Sequence, residues 1–172
     1  MAARIKLIKG DITQMEADAI VNAANRSLLG GGGVDGAIHR AAGPALLEAC
    51  RKLNGCETGH AKITPGFQLP ARFVIHTVGP VWTGGLKNES QLLKQCYLQS
   101  LKLVSDHQLR SIAFPNISTG VYGFPKKAAA EIAIDAVHSY LEQPGSVEGV
   151  IFVVFDEENE TLYNNLLTSQ LL

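Results

Sequence analysis

The sequence lacks the features that mark several large classes of protein. No stretch approaches the roughly 18 consecutive apolar residues that a membrane-spanning helix needs. The formal net charge is −1, so no overall field draws the chain to nucleic acid or to an anionic membrane. We also expect no signal peptide, because residues 1–4 pass directly into a strand-like pattern, and these 172 residues contain no internal repeat or low-complexity segment. We therefore expect a cytoplasmic protein that binds neither membranes nor nucleic acid strongly.

Cysteine is scarce as well. Cys50, Cys56 and Cys96 include no C-x-x-C spacing, which argues against a disulfide framework and against a zinc cluster. We interpret them as reduced thiols, with Cys96 as a small hydrophobe on the apolar face of a helix. Among the five histidines, neither His39 nor His76 has a partner at metal-ligand spacing. The sequence therefore predicts no metal site.

The 172 residues fit one domain, 1–172, with room for a sizeable core. Apolar periodicity predicts strands at 4–9, 19–22, 60–64, 73–78, 111–114 and 150–155. Helices are expected over 34–42, from the break at Gly43-Pro44 to about Leu53, around 92–104, from Lys126 to about 140 and over 156–167. Residues 171–172 are expected to fray. The alternation is typical of an α/β sandwich around a mostly parallel sheet.

Four consecutive glycines, 30–33, lie between the second strand and the first helix. Such a run costs much backbone entropy, so close approach to a ligand is a better explanation than stability. A glycine loop that leads into a helix presents unpaired N–H groups and the positive end of the helix dipole, which together favour an anion such as phosphate. A flexible surface turn is the alternative, although a plain turn needs only one or two glycines.

Two nucleotide-binding patterns were compared with this loop. Residues 31–36 match the G-x-G-x-x-G dinucleotide fingerprint, but about eight residues separate Asn22 from Gly31, whereas the fingerprint places its first glycine directly after the strand. The first helix also ends early, at Gly43-Pro44. The chain has no G-x-x-x-x-G-K-[ST], which excludes an ATP-type P-loop.

A second unusual loop, 115–125, follows the strand at 111–114. We expect Ser118 and Thr119 to help its backbone hold phosphate. The segment Ile117-Ser118-Thr119-Gly120 also resembles a serine nucleophile elbow, but Asn116 stands where that motif requires glycine. A Ser-His-Asp triad through Ser118 is therefore the less favoured alternative.

Two acidic residues stand next to these loops. Asp35 lies in the first turn of the first helix, where it could simply stabilise the helix dipole. A carboxylate beside a phosphate makes sense if it faces the reacting end of the ligand and orders a water, as a weak base or only as a positioning group. Asp11 ends the first strand, at the sheet edge where ligands bind. It could accept from a ligand or cap the following turn, and the sequence leaves both open.

Five segments together resemble the macrodomains, in particular the MacroD-type subclass whose bacterial members include O-acetyl-ADP-ribose deacetylases. They are residues 10–12, 21–25, 30–36, 76–80 and 118–123. The resemblance covers nearly the whole chain in the right order, and the combination is specific although each segment alone is not. It implies a three-layer α/β/α sandwich with a central six-stranded mixed, mostly parallel sheet, and ADP-ribose in a cleft at the carboxyl ends of the strands.

The resemblance also implies a role for each matched residue. Adenine would be contacted by Asp11, Ile12 and Phe155. The diphosphate would be wrapped by Gly33, Val34, Ser118, Thr119, Gly120, Val121 and Tyr122. The distal ribose would be surrounded by Asn25, Gly32, Asp35, Tyr122 and Gly123. Two departures from the subclass, the short loop 54–57 and Asn116 in place of a small residue, affect the rim and the choice of protein substrate rather than nucleotide binding.

The implied reaction is hydrolysis of an ester on the distal ribose, without metal or cofactor. It releases acetate from O-acetyl-ADP-ribose, or frees an aspartate or glutamate of a mono-ADP-ribosylated protein. Asp35 and a ligand phosphate would hold the water while Asn25 fixes the ribose hydroxyls, so these two residues are the predicted catalytic pair. The alternatives are a reader that binds ADP-ribose without turnover, and a regulator of ribonuclease III, a partner to which bacterial relatives have been linked.

Overall fold

A six-stranded sheet lies at the centre of the structure, a computed structural model that describes residues 4–169. The strands are β1 (Arg4–Lys9), β2 (Ala19–Ala23), β3 (Ala61–Pro65), β4 (Phe73–Thr77), β5 (Ser111–Phe114) and β6 (Gly149–Val154). Their order is β1-β6-β5-β2-β4-β3, and only the edge strand β3 runs antiparallel to its neighbour. The predicted mixed, mostly parallel sheet is confirmed.

Helices cover both faces of this sheet. They are α1 (Gly33–Ala42), α2 (Pro44–Arg51), α3 (Glu89–Asp106), α4 (Lys126–Leu141) and α5 (Glu157–Ser169). Along β2, Val21 packs in the core cluster that contains α3, α4 and α5, while Ile20 packs in the cluster that contains α1 and α2. The central strand is therefore buried on both sides, which explains its continuous apolar run. The three-layer α/β/α sandwich is confirmed.

Some boundaries differ from the sequence prediction. The strand expected at 60–64 lies at Ala61–Pro65, because Ala61 is the first residue to pair with β4 and His60 belongs to a turn closed by its N–H bond to Glu57. Helix α3 begins at Glu89, ahead of the first apolar position that marks it. The expectation for residues 171–172 lies outside the described part of the chain. Within residues 4–169, no helix is both long and apolar enough to cross a membrane.

Glu89 fixes the loop that precedes α3. Its buried carboxylate accepts from the N–H groups of Thr83 (2.8 Å), Gly85 (3.0 Å) and Lys87 (2.6 Å), and from the Thr83 hydroxyl (3.0 Å). The same loop meets the 115–125 loop, because the Trp82 N–H donates to the Tyr122 carbonyl at 2.8 Å. One carboxylate therefore holds a segment that borders the sheet edge described below.

These bonds predict a pH-dependent contribution to stability. The backbone bond from Thr83, followed by those from Gly85 and Lys87, lowers the pKa of Glu89 from 4.5 to about 2. A carboxyl whose pKa falls on folding stabilises the protein fully above its unfolded pKa and loses that contribution as the pH falls towards the folded value. We expect the difference in unfolding free energy between wild type and Glu89→Gln to be constant above about pH 5 and to shrink towards pH 2. Urea unfolding at several pH values measures it, and a difference that does not vary with pH would contradict this role.

The parallel strands bring five loops to one edge of the sheet. The carboxyl ends of β1, β6, β5, β2 and β4 point the same way, so the segments that follow them share that edge. These segments are Gly10-Asp11, Phe155, 115–125, 24–32 and 78–80. Ligands of open α/β sheets bind at this edge, so it is where a functional site is expected.

Candidate active site

The loop after β2 is built around Asn25. Its Nδ2 donates to the Gly30 carbonyl at 2.8 Å, and its Oδ1 accepts from the Ser27 hydroxyl at 2.7 Å and from the Leu28 N–H at 3.2 Å. Leu28 and Gly30 have φ values of 60° and 93°, so the chain turns sharply here. A side chain predicted to contact a ligand thus also folds the loop, because an asparagine amide can mimic a backbone turn.

Different physical constraints favour glycine at the different glycine positions in and beside this loop. A Cβ on Gly36 would lie 2.7 Å from the Gly31 carbonyl oxygen, so close packing of loop against helix requires glycine there. Gly33 has a φ of 57°, which favours glycine on backbone grounds. Gly32 has an ordinary φ of −93°, and a Cβ there would meet no described atom within 4 Å. Within the described chain neither backbone nor packing requires glycine at 32, which leaves ligand approach as the reason.

Helix α1 presents free amides next to this loop. Its N-cap residue is Gly32, which supplies no side-chain cap. Within residues 4–169, the N–H groups of Gly33, Val34 and Asp35 donate to no protein acceptor. Free amides at the positive end of a helix dipole form an anion site.

The loop after β5 presents a second set of amides. It is closed by bonds from the Phe124 N–H to the Ser118 carbonyl and from the Gly123 N–H to the Gly120 carbonyl, both 2.9 Å. Among the described residues, the N–H groups of 119–122 donate to no protein acceptor. Because β5 pairs directly with β2, the two amide-bearing loops leave adjacent strands of the sheet. Backbone amides grouped in this way bind anions.

The Ser118 hydroxyl is buried between this loop and the segment after β4. Ser118 has a φ of 67°, and its Oγ lies against Gly79, is buried and has no hydrogen-bond partner among the described residues. The triad alternative is therefore not formed, since a triad needs a histidine within hydrogen-bond reach of the hydroxyl. Ser118 shapes the loop with its backbone.

Asp35 lies behind the glycine loop, only 4% exposed. Its Oδ1 accepts from Asn22 Nδ2 at 2.9 Å and lies 3.4 Å from His39 Nε2. On its other side, a Cβ added to Gly31 would lie 3.0 Å from Asp35 Oδ2 and 3.4 Å from Asn25 Nδ2. The structure thus brings the predicted catalytic pair together, with both side chains next to Gly31.

Sequence reasoning assigned no role to Asn22, the residue that binds Asp35. Asn22 is fully buried in β2, and its Nδ2 also lies 3.1 Å from His76 Nδ1 in β4. The only signal in the sequence is an amide side chain inside an otherwise apolar strand. Such a residue costs stability when buried unless it is hydrogen-bonded.

The residues predicted to contact adenine follow β1 and β6, at the other end of this sheet edge. Asp11 is exposed, and its Oδ1 accepts from the Thr13 N–H at 2.9 Å and from the Thr13 hydroxyl at 2.7 Å, so the capping alternative is confirmed. Phe155 is 80% exposed and directly follows β6, whose last residue, Val154, accepts from the Gly10 N–H through its carbonyl. An exposed phenylalanine can stack on a heteroaromatic ring, and the neighbouring carboxylate can accept a hydrogen bond from it. Ile12 is 5% exposed and packs in the core below them.

The cysteines are not candidates for nucleophiles or metal ligands. All three are free and buried, and burial raises the pKa of the Cys50 and Cys96 thiols to about 11, so neither is a thiolate at neutral pH. No three His, Cys, Asp or Glu side chains within residues 4–169 are grouped so that they could hold a metal ion.

Comparison with known proteins agrees with this geometry. The chain is 60% identical over 174 residues to an O-acetyl-ADP-ribose deacetylase of Escherichia fergusonii, an overlap of 99% of this chain and 98% of that protein. Among solved structures it is similar to a mutant Oceanobacillus iheyensis macrodomain with ADPR, with a TM-score of 0.94, 45% identity, and coverage of 99% of this chain and 95% of that one.

A Trypanosoma brucei macrodomain in complex with ADP-ribose gives a TM-score of 0.90 at 46% identity, over 95% of this chain and 68% of that one. Residues 21–133, which include both amide-bearing loops, match the family described as Macro domain. The chain therefore belongs to the macro domain family.

Proposed function

We propose that this protein is a hydrolase that binds ADP-ribose and cleaves acyl esters on its distal ribose, with O-acetyl-ADP-ribose as a substrate. The observation that supports this most directly is the pairing of two loops of free amides with one buried carboxylate, Asp35, beside Asn25. The amides can bind a diphosphate, and the carboxylate can orient a water for reaction at the ribose next to that diphosphate. Relatives at 57–60% identity have the name O-acetyl-ADP-ribose deacetylase.

Different residues at the sheet edge bind different parts of the ligand. Phe155 stacks on adenine and Asp11 accepts from its amino group, with Ile12 supporting the turn from below. The diphosphate is bound by the amides of Gly33 and Val34 and by those of residues 118–122. Asn25, Gly32 and Asp35 surround the distal ribose from one side. Tyr122 and Gly123 close it from the other.

In the reaction, a water held by Asp35 and a ligand phosphate attacks the acyl carbon. The bond between that carbon and the ribose oxygen breaks, the ribose oxygen receives one proton of the water, and the other proton passes to solvent as the acyl group is released as a carboxylate. Asn25 holds the ribose hydroxyls so that the ester faces the water. Holding reactants in this way lowers the entropic part of the barrier without a covalent intermediate.

The experiment is a single-turnover assay with O-acetyl-ADP-ribose in excess EDTA, run beside calorimetry with ADP-ribose. We expect tight binding and acetate release that the chelator does not inhibit. Binding without acetate release would make the protein a reader, and Asp35 would then be only a helix-capping carboxylate. Acetate release that stops in EDTA and returns with a divalent metal would contradict the metal-free mechanism.

The proposal extends to mono-ADP-ribosylated aspartate and glutamate side chains. We infer that the carrier chain would lie in a shallow groove of about 600 Å³ that begins at Arg26, the residue after Asn25. It is lined by Arg26, Ser27, Asn54, Gly55, Cys56, Glu57, His60 and Lys62. The short loop 54–57 forms one wall, because the Cys56 N–H bonds to the Arg26 carbonyl at 2.9 Å. Release of ADP-ribose from a glutamate-modified peptide in the same assay tests this extension, and no release would restrict the enzyme to small esters.

Three further proposals rest on the sequence and the family resemblance. They are a single macrodomain over 1–172, a cytoplasmic location, and association with ribonuclease III. Co-purification at moderate salt tests the last of them, and failure to recover the ribonuclease would exclude it.

A further inference from the structure

We propose that Asn22 and His76 are positioning residues that hold the Asp35 carboxylate with Oδ1 bound inward and Oδ2 directed to the ligand. The inference rests on the proposed function, since it concerns how the carboxylate of that reaction is oriented. Neither residue lies at the surface, because both are fully buried. Their effect must therefore pass through Asp35.

Asn22 stands at the centre of the arrangement. Its Nδ2 is 2.9 Å from Asp35 Oδ1 and 3.1 Å from His76 Nδ1. A side-chain amide nitrogen has two hydrogens and no acceptor capacity, so it donates to both atoms. His76 Nδ1 is therefore an acceptor, and the ring proton of the neutral histidine is on Nε2.

The remaining contacts of His76 agree with that tautomer. Nε2 lies 2.9 Å from the Thr64 hydroxyl and 3.7 Å from the Cys50 sulfur, and either can accept a hydrogen bond from the Nε2–H. Burial lowers the pKa of His76 to about 3, with a smaller contribution from His39, so the ring is neutral around pH 7. Asn22 Nδ2 therefore donates one hydrogen to His76 Nδ1 and the other to Asp35 Oδ1, which fixes the orientation of its amide group.

The framework that holds these side chains is rigid. Asn22 and His76 are directly paired residues on adjacent parallel strands, and Thr64 lies on β3 next to them. Functional groups on strands are held more accurately than groups on loops. The carboxylate on α1 is thereby tied to the sheet at one oxygen, which leaves Oδ2 beside Gly31 and Asn25.

Two buried polar atoms indicate that this arrangement lowers the stability of the folded protein. Within the described residues, Asn22 Oδ1 and His39 Nε2 have no hydrogen-bond partner. A buried amide oxygen without a partner is unfavourable, and an apolar residue at 22 would avoid it. His39 Nε2 lies 3.4 Å from the same Oδ1 but forms no hydrogen bond to it, so Asn22 is the side chain that holds this oxygen.

The test compares three variants with the wild type in the acetate-release assay. Asn22→Ala should lower kcat by about 10- to 100-fold, the range found when the partners that orient metal-binding side chains are removed. KM and the ADP-ribose Kd should stay within about threefold of the wild-type values. His76→Leu should lower kcat in the same way, because it removes one of the two acceptors that orient the Asn22 amide. His76→Asn, whose side-chain oxygen can replace Nδ1, should restore most of the rate.

Leu46→Ala is the matched control for a purely structural effect. Leu46 is fully buried in the core cluster that contains α1 and α2, and its side chain has no hydrogen-bonding group. It should lose stability as Asn22→Ala does and retain kcat. Equal loss of kcat in both variants, or full kcat in Asn22→Ala, would overturn the inference.

A crystal structure of Asn22→Ala tests the orientation without relying on turnover. We expect the Asp35 carboxylate to rotate away from its wild-type position, and an unchanged carboxylate would overturn the inference even if the wild type proved inactive. Failure of the proposed function has a different signature, which is wild-type protein that binds ADP-ribose and releases no acetate. The two failures are therefore distinguishable.

Discussion

Asp35→Ala should slow acetate release by about two to three powers of ten while ADP-ribose affinity stays within a few-fold of the wild-type value. The carboxylate is buried beside the glycine loop, with Oδ2 next to Gly31 and the Asn25 amide, so it is placed to hold a water rather than a phosphate. Removing a group that orients reactants in this way costs roughly 3 to 4 kcal/mol of transition-state stabilisation, or two to three powers of ten in rate. Single-turnover kinetics and calorimetry on the same preparation measure both quantities.

Asp35→Asn is the matched control. Asparagine keeps an oxygen that can accept from Asn22 Nδ2, whereas alanine leaves that buried donor unpaired, at a cost of about 1 to 3 kcal/mol of stability. We therefore expect Asp35→Asn to unfold near the wild-type denaturant concentration and still to lose most of its rate. If both variants lost binding as much as turnover, Asp35 would be a binding residue and the proposed mechanism would be wrong.

Gly79→Ala should disrupt the second amide-bearing loop. A Cβ at this position would lie 2.1 Å from Ser118 Oγ and 2.6 Å from Ile117 Cγ2, much closer than real side-chain contacts. The loop after β5 must then move away from the segment after β4, which displaces the free amides of residues 119–122. We expect ADP-ribose Kd to rise at least tenfold, and stability to fall by about 1 to 3 kcal/mol because of overpacking.

Gly149→Ala is a suitable control, because a Cβ there meets no described atom within 4 Å and the residue lies at the opposite end of β6. It should leave Kd and unfolding unchanged. The double variant with Ser118→Gly removes the closer of the two clashes, and glycine suits the φ of 67° at that position, so part of the affinity should return. An unchanged Kd in Gly79→Ala would show that close packing of these two loops is not required for binding.

The elements of the fold were predictable because their signals are local. The apolar run of β2, the periodicity of α4 and the break at Gly43-Pro44 each depend on residues within one or two turns of the chain. The first and last residues of an element were harder to predict where a polar residue forms the boundary. Helix α3 begins at Glu89, whose carboxylate binds the preceding loop, and no periodic apolar residue shows that start.

The candidate site was likewise predictable only where its signals are local in the sequence. The sequence by itself determined the two unusual loops and the acidic residue in the first turn of α1, since glycine runs and helix starts are local features. Only the tertiary structure decided which groups those residues meet: Asn22 binds Asp35 across 13 positions and His76 across 54, and Gly79 contacts Ser118. It also showed that Asn25 holds its own loop and that the Ser118 hydroxyl points inward. Strand order creates these contacts, and strand order results from how the whole core packs.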